Sequence, residues 1–248
     1  MDFFNKIYKG DCLQVMETLP DGSIDLILCD LPYGTTECIW DVVIPFDTLW
    51  KHYKRLIKEN GAILLFGSQP FTTDLINSNR DWFRYEIIWE KTRPSNFFLA
   101  NKQPLKAHEN ICVFYKMQPT YNVIKWKGNN NHASKPRLSN SNIHNLTGIK
   151  NGVDTNEDKF PKSVINVKST DSTKNLHPTQ KPEKLLEWLI LLYSNENEII
   201  LDNTMGSGST VIACVKTKRK FIGIEKDEKY FEIAEKRINN ELSQPKLF

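Results

Sequence analysis

The residues Asp30-Leu31-Pro32-Tyr33 bring together a carboxylate, a proline-stiffened backbone and an aromatic ring. They follow an apolar run, residues 24–29, that is typical of a buried strand, and open α/β sheets bind ligands at the carboxyl ends of their strands. Such a group could hold a flat heterocycle that bears an amino group: Tyr33 would stack on the ring, while Asp30 and the Leu31 carbonyl would accept the amino hydrogens. A plain strand-ending turn is the alternative, because Asp, Pro and Gly all favour turns.

A second group of chemically useful residues lies in the loop at residues 202–210, whose sequence is DNTMGSGST. Its small residues would let the backbone approach a ligand closely, and it lacks both the phosphate-loop and the dinucleotide-binding glycine patterns. Glu225 ends the next apolar run 23 positions after Asp202, near the ~20-residue separation at which a carboxylate meets ribose hydroxyls. The loop and Glu225 together predict a site for a nucleoside without phosphates; a structural glycine turn is the alternative.

Short apolar runs bounded by turn residues predict the strands that must position these loops. Seven runs stand out, at residues 6–9, 24–29, 62–67, 85–89, 111–115, 199–202 and 221–225. Apolar residues at helical spacing lie between most of them, which favours a doubly wound, largely parallel α/β sheet covered on both faces. No clear helix separates residues 89 and 111, so the strands on either side of that stretch are expected to pair antiparallel.

Length and composition fit an ordinary globular protein of one large or two modest domains, with 248 residues of which 40% are hydrophobic and 25% charged. No apolar run approaches the ~18 residues of a membrane span, and the N-terminus lacks a secretory signal, so a cytoplasmic protein is expected. Five cysteines at irregular gaps, without a Cys-x-x-Cys pair, predict reduced thiols and no bound metal.

Positive charge is concentrated in one part of the chain, although the formal net charge is only +3. Residues 116–150 contain six basic residues and no Asp or Glu, and much of this stretch is rich in Asn and Ser. Because clustered Lys and Arg favour contact with phosphates, the segment predicts a nucleic-acid surface. Its candidate contact residues are Lys125, Lys127, Lys135 and Arg137. A solvated surface segment without a partner is the alternative.

Both loops, taken in this order, resemble those of the amino-group DNA methyltransferases that use S-adenosylmethionine, in the permuted group whose catalytic motif precedes the cofactor motif. The resemblance covers most of the chain and is carried by separate short motifs: Gly10-Asp11-Cys12, residues 23–27 (SIDLI), Asp30-Leu31-Pro32-Tyr33-Gly34, Trp89-Glu90-Lys91, His108-Glu109, Phe114, residues 177–182 (HPTQKP) and residues 201–210. The family pattern is usually Asp-Pro-Pro-Tyr, so Leu31 is a departure. It regains a backbone N–H and a free φ, which predicts a less preorganised loop.

The resemblance implies a Rossmann-like methyltransferase fold of seven strands, six parallel and one antiparallel. It implies a single domain over residues 1–248 with an inserted target-recognition region at residues 116–175. It further implies S-adenosyl-L-methionine as cofactor and double-stranded DNA as partner, with a flipped adenine methylated at N6, because an acidic first motif residue is associated with adenine.

The same resemblance implies the site residues. The implied catalytic residues are Asp30, Leu31, Pro32 and Tyr33. The implied cofactor-binding residues are Asp11, Cys12, Lys181, Asp202, Asn203, Thr204, Gly206, Ser207, Gly208, Ser209, Thr210, Glu225 and Lys226, with Lys181 near the methionine end of the cofactor.

Several alternatives stay open on the sequence alone. Asp11 could simply cap a helix at residues 12–18, and Lys181 could be a solvent-exposed lysine before a helix. The methyl acceptor could instead be N4 of cytosine, RNA or a protein glutamine amide, since each presents a planar amino group. A DNA-binding module with a degenerate, inactive site is the non-enzymatic alternative. A homodimer and a restriction endonuclease partner are both compatible with the sequence, and no membrane contact is expected.

Overall fold

The computed structural model describes residues 3–35, 41–127, 158–168 and 180–243. Its contacts divide the chain into a larger unit, Met1–Asn122 with Ser163–Phe248, and a smaller unit, Val123–Lys162. The larger unit contains all the residues predicted to be catalytic or cofactor-binding. Lys135 and Arg137, predicted to contact DNA, lie outside the described residues.

Strands and helices alternate along most of the chain, as the apolar pattern predicts. The described strands are β1 (Lys6–Lys9), β2 (Ile24–Cys29), β3 (Ile57–Gly67), β4 (Phe83–Ser95), β5 (Lys106–Phe114), β6 (Trp126–Lys127), β7 (Asp158–Lys159), β8 (Val164–Val167), β9 (Ile199–Asp202) and β10 (Lys220–Glu225). The described helices are α1 (Cys12–Glu17), α2 (Phe46–Leu56), α3 (Phe71–Ser78), α4 (Glu183–Tyr193), α5 (Ser209–Lys216) and α6 (Glu228–Ser243). A helix long and apolar enough to cross a bilayer is not found in the described part of the chain.

Eight strands form one mostly parallel sheet in the order β1-β10-β9-β2-β3-β5-β4-β8. β5 pairs antiparallel with both β3 and β4, whereas β8 pairs parallel with β4. Among the described strands of this sheet, β5 alone therefore runs against the rest, which confirms the predicted mixed α/β fold. All seven predicted strands are present. The expected number of seven is wrong by one, because β8 adds an eighth strand at the edge.

The central strands are buried on both faces, as continuous apolar runs in a parallel sheet require. Leu26, Ile27 and Leu28 of β2 are fully buried. Leu49 and Tyr53 of α2, apolar residues four positions apart, are fully buried in the same core. This packing fixes the strand ends from which the site loops leave.

The predicted site loops leave the sheet at one edge because β1, β10, β9 and β2 are parallel neighbours. From β9 the chain crosses to β10 on one side, whereas from β2 it crosses to β3 on the other. Such a reversal opens a crevice outside the carboxyl ends of the strands. Residues 10–12 and 30–35 follow β1 and β2, and residues 202–208 and 225–227 begin with the last residues of β9 and β10.

The smaller unit contains a two-stranded antiparallel pair, β6 with β7, in which Lys127 is the register partner of Asp158. The ammonium of Lys125 lies 4.8 Å from the centre of the Phe160 ring, a cation–π contact. Two of the four residues predicted to contact DNA, Lys125 and Lys127, therefore belong to this small strand pair or lie directly beside it.

Candidate active site

A cavity of about 1510 Å³ occupies the crevice at the carboxyl edge of the sheet. Most small-molecule sites have ~300–1,000 Å³, so this cavity has room for two ligands side by side. The predicted site residues that line it are Asp11, Cys12, Asp30, Leu31, Pro32, Tyr33, Lys181, Asp202, Asn203, Thr204, Gly206, Ser207, Ser209, Thr210, Glu225 and Lys226. Of the residues predicted to be catalytic or cofactor-binding, only Gly208 does not line the cavity.

The loop after β9 begins at a buried carboxyl group. Asp202 is 4% exposed, and its Oδ1 accepts a hydrogen bond from the Thr204 N–H at 3.1 Å. Burial is the largest influence on this group and raises the pKa of Asp202 to about 7, although hydrogen bonds from Thr210 and Thr204 favour the charged form. At neutral pH this carboxyl is therefore close to the midpoint of its titration.

Glu225 at the end of β10 braces the same loop. Its Oε2 accepts the Gly206 N–H and its Oε1 accepts the Asp227 N–H, both at 2.8 Å. Each carboxylate oxygen has a second acceptor position, so the predicted contact with ribose hydroxyls remains compatible with these bonds. Burial raises the pKa of Glu225, while the backbone N–H groups partly offset that rise.

Gly208 packs against α6. It precedes α5 with a φ of +81°, and a Cβ at this position would lie 3.1 Å from the Cβ of Ala234. The glycine is therefore needed for a left-handed backbone and for close contact with α6.

Asn203 connects three elements beneath the cavity. Its Oδ1 accepts hydrogen bonds from the Tyr53 hydroxyl of α2 at 2.6 Å and from the Cys29 thiol of β2 at 2.8 Å. Its Nδ2 is buried and makes no hydrogen bond within the described part of the chain. An unpaired buried donor is costly, so this amide can be satisfied by an acceptor on a bound ligand.

Asp11 both caps a helix and lines the cavity. Its Oδ1 accepts the Leu13 N–H at 3.0 Å as the N-cap of α1, as the alternative interpretation anticipated. Its Oδ2 lies 3.5 Å from the Lys226 ammonium. Burial raises the pKa of the neighbouring Cys12 thiol, which therefore stays protonated at neutral pH.

Asp30 and Tyr33 of the tetrapeptide are hydrogen-bonded to each other. The Tyr33 hydroxyl donates to Asp30 Oδ1 at 2.7 Å, and burial raises the pKa of this phenol well above its usual value. One face of the Tyr33 ring stacks on Phe71, with ring centres 4.9 Å apart. Leu31 is 4% exposed and belongs to the hydrophobic core, so apolar packing holds the position where the family usually has proline.

Asp41 clamps the backbone that follows the tetrapeptide. Its Oδ1 accepts the N–H groups of Tyr33 at 2.7 Å and Gly34 at 2.8 Å, and its Oδ2 accepts the Thr35 N–H at 2.9 Å. Three hydrogen bonds to one buried carboxylate fix this turn. The sequence placed Asp41 close to the tetrapeptide but gave no sign of this contact.

Lys181 forms an ion pair with Asp30. It was expected near the methionine end of a cofactor, and in the structure its ammonium donates to Asp30 Oδ2. The same ammonium lies 3.4 Å from Glu109 Oε2, and the other oxygen of Glu109 is paired with Lys91. Two anions and two cations thus form a balanced, largely buried group: Asp30, Lys181, Glu109 and Lys91.

Burial and this charged group together influence the protonation of Asp30. Burial raises the pKa of Asp30, and Lys181 offsets part of the rise. Burial opposes the charge on Lys181, but Asp30 and Glu109 outweigh it and keep the pKa of Lys181 above its usual value. For Glu109 the opposing effect of burial is outweighed by Lys181 and Lys91, so its pKa is lowered. The result is a permanent cation beside a carboxylate of increased basicity.

The two predicted loops are directly joined. The Thr204 hydroxyl donates to the Asp30 carbonyl at 3.1 Å.

Glu109 and Lys91, which complete the charged group, lay in short motifs to which the sequence assigned no role. Glu109 stands among polar residues in the first half of β5, just before the buried run of that strand, so its surroundings in the sequence did not single it out.

Comparison with known proteins gives a consistent result. A family model described as DNA methylase, N6_N4_Mtase, matches residues 24–236. Type II methyltransferase M.HinfI of Haemophilus influenzae is 31% identical over an alignment 268 positions long, which covers 96% of this chain and 69% of the relative. Type II methyltransferase M2.LlaDCHI of Lactococcus lactis subsp. cremoris is 27% identical, with 94% of this chain and 88% of the relative covered.

Solved structures share the fold over most of the chain. The crystal structure of the M1.HpyAVI–SAM complex superposes with a TM-score of 0.64 at 25% identity and covers 94% of this chain and 98% of that one. PvuII DNA methyltransferase, described as cytosine-N4-specific, superposes with a TM-score of 0.68 at 15% identity, with 98% and 87% covered. At that identity the second likeness shows the fold alone.

Proposed function

This chain belongs to the N6/N4 DNA methylase family, and we propose that it transfers a methyl group from S-adenosylmethionine to N6 of an adenine flipped out of duplex DNA. One observation carries the proposal: Asp30 and the loop after β9 line one cavity and are joined by the Thr204 hydrogen bond. A methyl donor on the loop and an amino group at Asp30 would meet within that cavity.

The residues of the cavity fit this cofactor. The loop at residues 202–208 and the free acceptor positions of Glu225 would hold the nucleoside, with Asp11 and Cys12 beside it. The unpaired Nδ2 of Asn203 supplies a buried donor for a polar atom of the ligand. When bound, S-adenosylmethionine supplies an electrophilic methyl on a positively charged sulfur, and the acidic groups Asp202 and Glu225 favour that charge.

The tetrapeptide would position the adenine. Asp30 and the Leu31 carbonyl accept the two amino hydrogens, so the nitrogen lone pair is directed at the methyl group. The amino group takes the place of one donor that Asp30 now has, Tyr33 or Lys181. After transfer the nitrogen is positively charged, and Asp30, whose pKa is raised, accepts its surplus proton.

The inserted segment would supply target recognition. We propose that residues 116–175 form the target-recognition region, because they contain the compact unit Val123–Lys162 and the basic stretch with Lys125, Lys127, Lys135 and Arg137. Phosphate contacts by such residues position DNA without reading its sequence. A homodimer and an endonuclease partner stay predictions from the sequence.

Replacing Asp30 by Ala tests the proposal directly. The variant is expected to bind S-adenosylmethionine in calorimetry as the wild type does, and to transfer tritiated methyl to genomic DNA at least ~10²-fold more slowly, because the amino group loses its charged acceptor. Asp47→Ala, which removes an exposed carboxylate of α2, is the matched control. Mass analysis of nucleosides should show N6-methyladenine. N4-methylcytosine would overturn the choice of adenine, and unchanged turnover in Asp30→Ala would overturn the catalytic assignment.

A further inference from the structure

The turn between β4 and β5 exposes two aromatic rings. Residues 96–105, called here the hairpin tip, include Phe97 and Phe98, whose side chains are 64% and 84% exposed. Phe98 is the most exposed large apolar side chain among the described residues. Large apolar groups that stand together in solvent are costly, and they often mark an interaction site.

The hairpin tip is an ordered turn that holds these rings outward. Asn96 adopts a left-handed conformation with a φ of +65°, and a 3₁₀ turn follows over Phe97–Leu99. The backbone N–H of Leu99 donates to the Asn96 carbonyl at 2.9 Å, and that of Lys102 donates to the Leu99 carbonyl at 2.8 Å. These bonds preorganise the tip, so little conformational entropy would be lost on binding.

The charge around the hairpin tip favours a polyanion. Residues 91–106 contain four basic residues, Lys91, Arg93, Lys102 and Lys106, and no Asp or Glu. Lys91 is engaged with Glu109, which leaves three of these cations around the tip. A second copy of this chain would have to offer a matching acidic surface, whereas every stretch of duplex DNA offers phosphates.

The hairpin tip also adjoins the cavity, through Asn96 and the strand residues on either side of the tip. Arg93, Asn96 and Lys106 line the same cavity as Asp30 and Tyr33. Phe97 and Phe98 follow Asn96 directly in the chain, so both rings stand next to a residue that lines the cavity. Proteins that distort DNA frequently insert apolar side chains between base steps at such places.

We propose that the hairpin tip is a DNA wedge, in which Phe98, supported by Phe97, stacks into the duplex beside the nucleotide that enters the cavity. This inference rests on the proposed function, because it requires a base to leave the stack. An aromatic ring in the gap replaces the stacking that the departing base gives up, while Arg93 and Lys102 contact the flanking phosphates.

The test uses the full chain and a short duplex that carries the sequence methylated by the wild type, with 2-aminopurine at the target position. At about 0.1 M salt, the Phe97→Ala/Phe98→Ala variant should bind this duplex about tenfold more weakly than the wild type. The increase in 2-aminopurine fluorescence on binding should also be smaller. The affinity of the variant for S-adenosylmethionine should not change. Both side chains are exposed, so the truncation removes no core packing.

Three controls sharpen the result. Phe98→Trp keeps a stacking ring and should bind within about twofold of the wild type. Leu242→Ala truncates a 56% exposed side chain on α6 and should leave DNA affinity unchanged. A plot of the logarithm of the DNA association constant against the logarithm of the salt concentration should be less steep by about one for Lys102→Gln. The same plot for Lys184→Gln, at an exposed lysine of α4, should match that of the wild type.

Unchanged DNA affinity in the double variant, or Phe98→Trp as weak as the double variant, would overturn the wedge while leaving the methyltransferase proposal intact. Conversion of a dimer to a monomer in sedimentation, with DNA affinity unaffected, would also overturn it and assign the rings to a second copy. If the wild type methylates no duplex, the proposed function fails; sonicated genomic DNA then replaces the probe, and weaker binding by the double variant would still support DNA contact by the tip.

Discussion

At the scale of single residues, the proposed catalytic carboxylate depends on partners from distant parts of the chain. Tyr33 comes from the same loop, whereas Lys181 precedes α4 and Glu109 lies on β5. Because Lys181 is shared between two carboxylates, each anion influences the basicity of the other. We therefore expect Glu109 to act as a positioning residue that influences Asp30 through Lys181.

Replacing Glu109 by Gln removes one negative charge while keeping the size of the side chain. Since the charge on Glu109 helps to raise the pKa of Asp30, the variant should have a lower Asp30 pKa. Activity that needs ionised Asp30 is lost as the pH falls through that pKa, so the acidic limb of kcat/KM should move to lower pH. We also expect kcat to fall about tenfold, equivalent to ~1.4 kcal/mol of lost positioning.

The measurement is the pH profile of methyl transfer to a mapped duplex. Glu90→Gln changes an exposed glutamate of the neighbouring strand and should reproduce the wild-type profile. Superimposable profiles for Glu109→Gln and the wild type would contradict the link between Glu109 and Asp30.

The sequence singled out Asp30 and Tyr33 as candidates because both belong to one local motif at a strand end. It could not assign roles to Glu109 or Asp41. The contact between Glu109 and Lys181 depends on how β5 is placed in the sheet, and the clamp formed by Asp41 depends on how the chain returns to the turn after Tyr33. Long-range pairing of this kind leaves no local pattern in a single sequence.

At the scale of elements, the loop after β9 is shaped by its contact with α6. Gly208→Ala would place a methyl group 3.1 Å from Ala234 Cβ at a φ of +81°. We expect a loss of about 1–2 kcal/mol for the left-handed backbone and about 1 kcal/mol or more for the crowding. Gly22→Ala is the matched control, because Gly22 also has a positive φ but no atom within 4 Å of the added Cβ.

Urea unfolding of both variants separates the two contributions. Gly22→Ala should lose only the backbone contribution, so the difference between the variants measures the packing of the loop on α6. Equal losses in the two variants would show that Gly208 matters only for its dihedral angles.

The eighth strand of the main sheet, β8, could not be predicted from a run of apolar residues. β8 consists of only four residues, Val164–Val167, and its side chains alternate between exposed and half-buried. It pairs with the edge of β4 and is fixed by a bond from Trp89 Nε1 to the Val167 carbonyl at 2.9 Å. Five of the seven predicted strands, β2, β3, β5, β9 and β10, contain a continuous buried run of apolar residues, which is the pattern that a strand covered on both faces gives.

At the scale of the whole molecule, Asp202 makes stability depend on pH. Its pKa rises from 3.8 to about 7 on folding, so the folded state holds a proton that the unfolded state releases. Stability therefore falls as the pH rises from about 4 to about 7, by up to ~4 kcal/mol at 1.36 kcal/mol per pKa unit. Asp202→Asn carries no titrating proton and should remove this contribution.

Chemical unfolding without cofactor, repeated between acidic and alkaline pH, is the measurement. The variant should gain stability over the wild type as the pH rises through this window, whereas Asp47→Asn, at an exposed site, should follow the wild type. A difference between Asp202→Asn and the wild type that is constant with pH would contradict the raised pKa.

The hydrogen bond from the Thr204 hydroxyl to the Asp30 carbonyl holds the loop after β9 at a set distance from the loop after β2. The separation between the proposed sites of methyl donor and acceptor is therefore set when the chain folds. A variant designed to transfer a bulkier alkyl group would first need a substitution at Thr204 that removes this hydroxyl. Enlarging the outer walls of the cavity alone would leave the distance between the donor and acceptor sites unchanged.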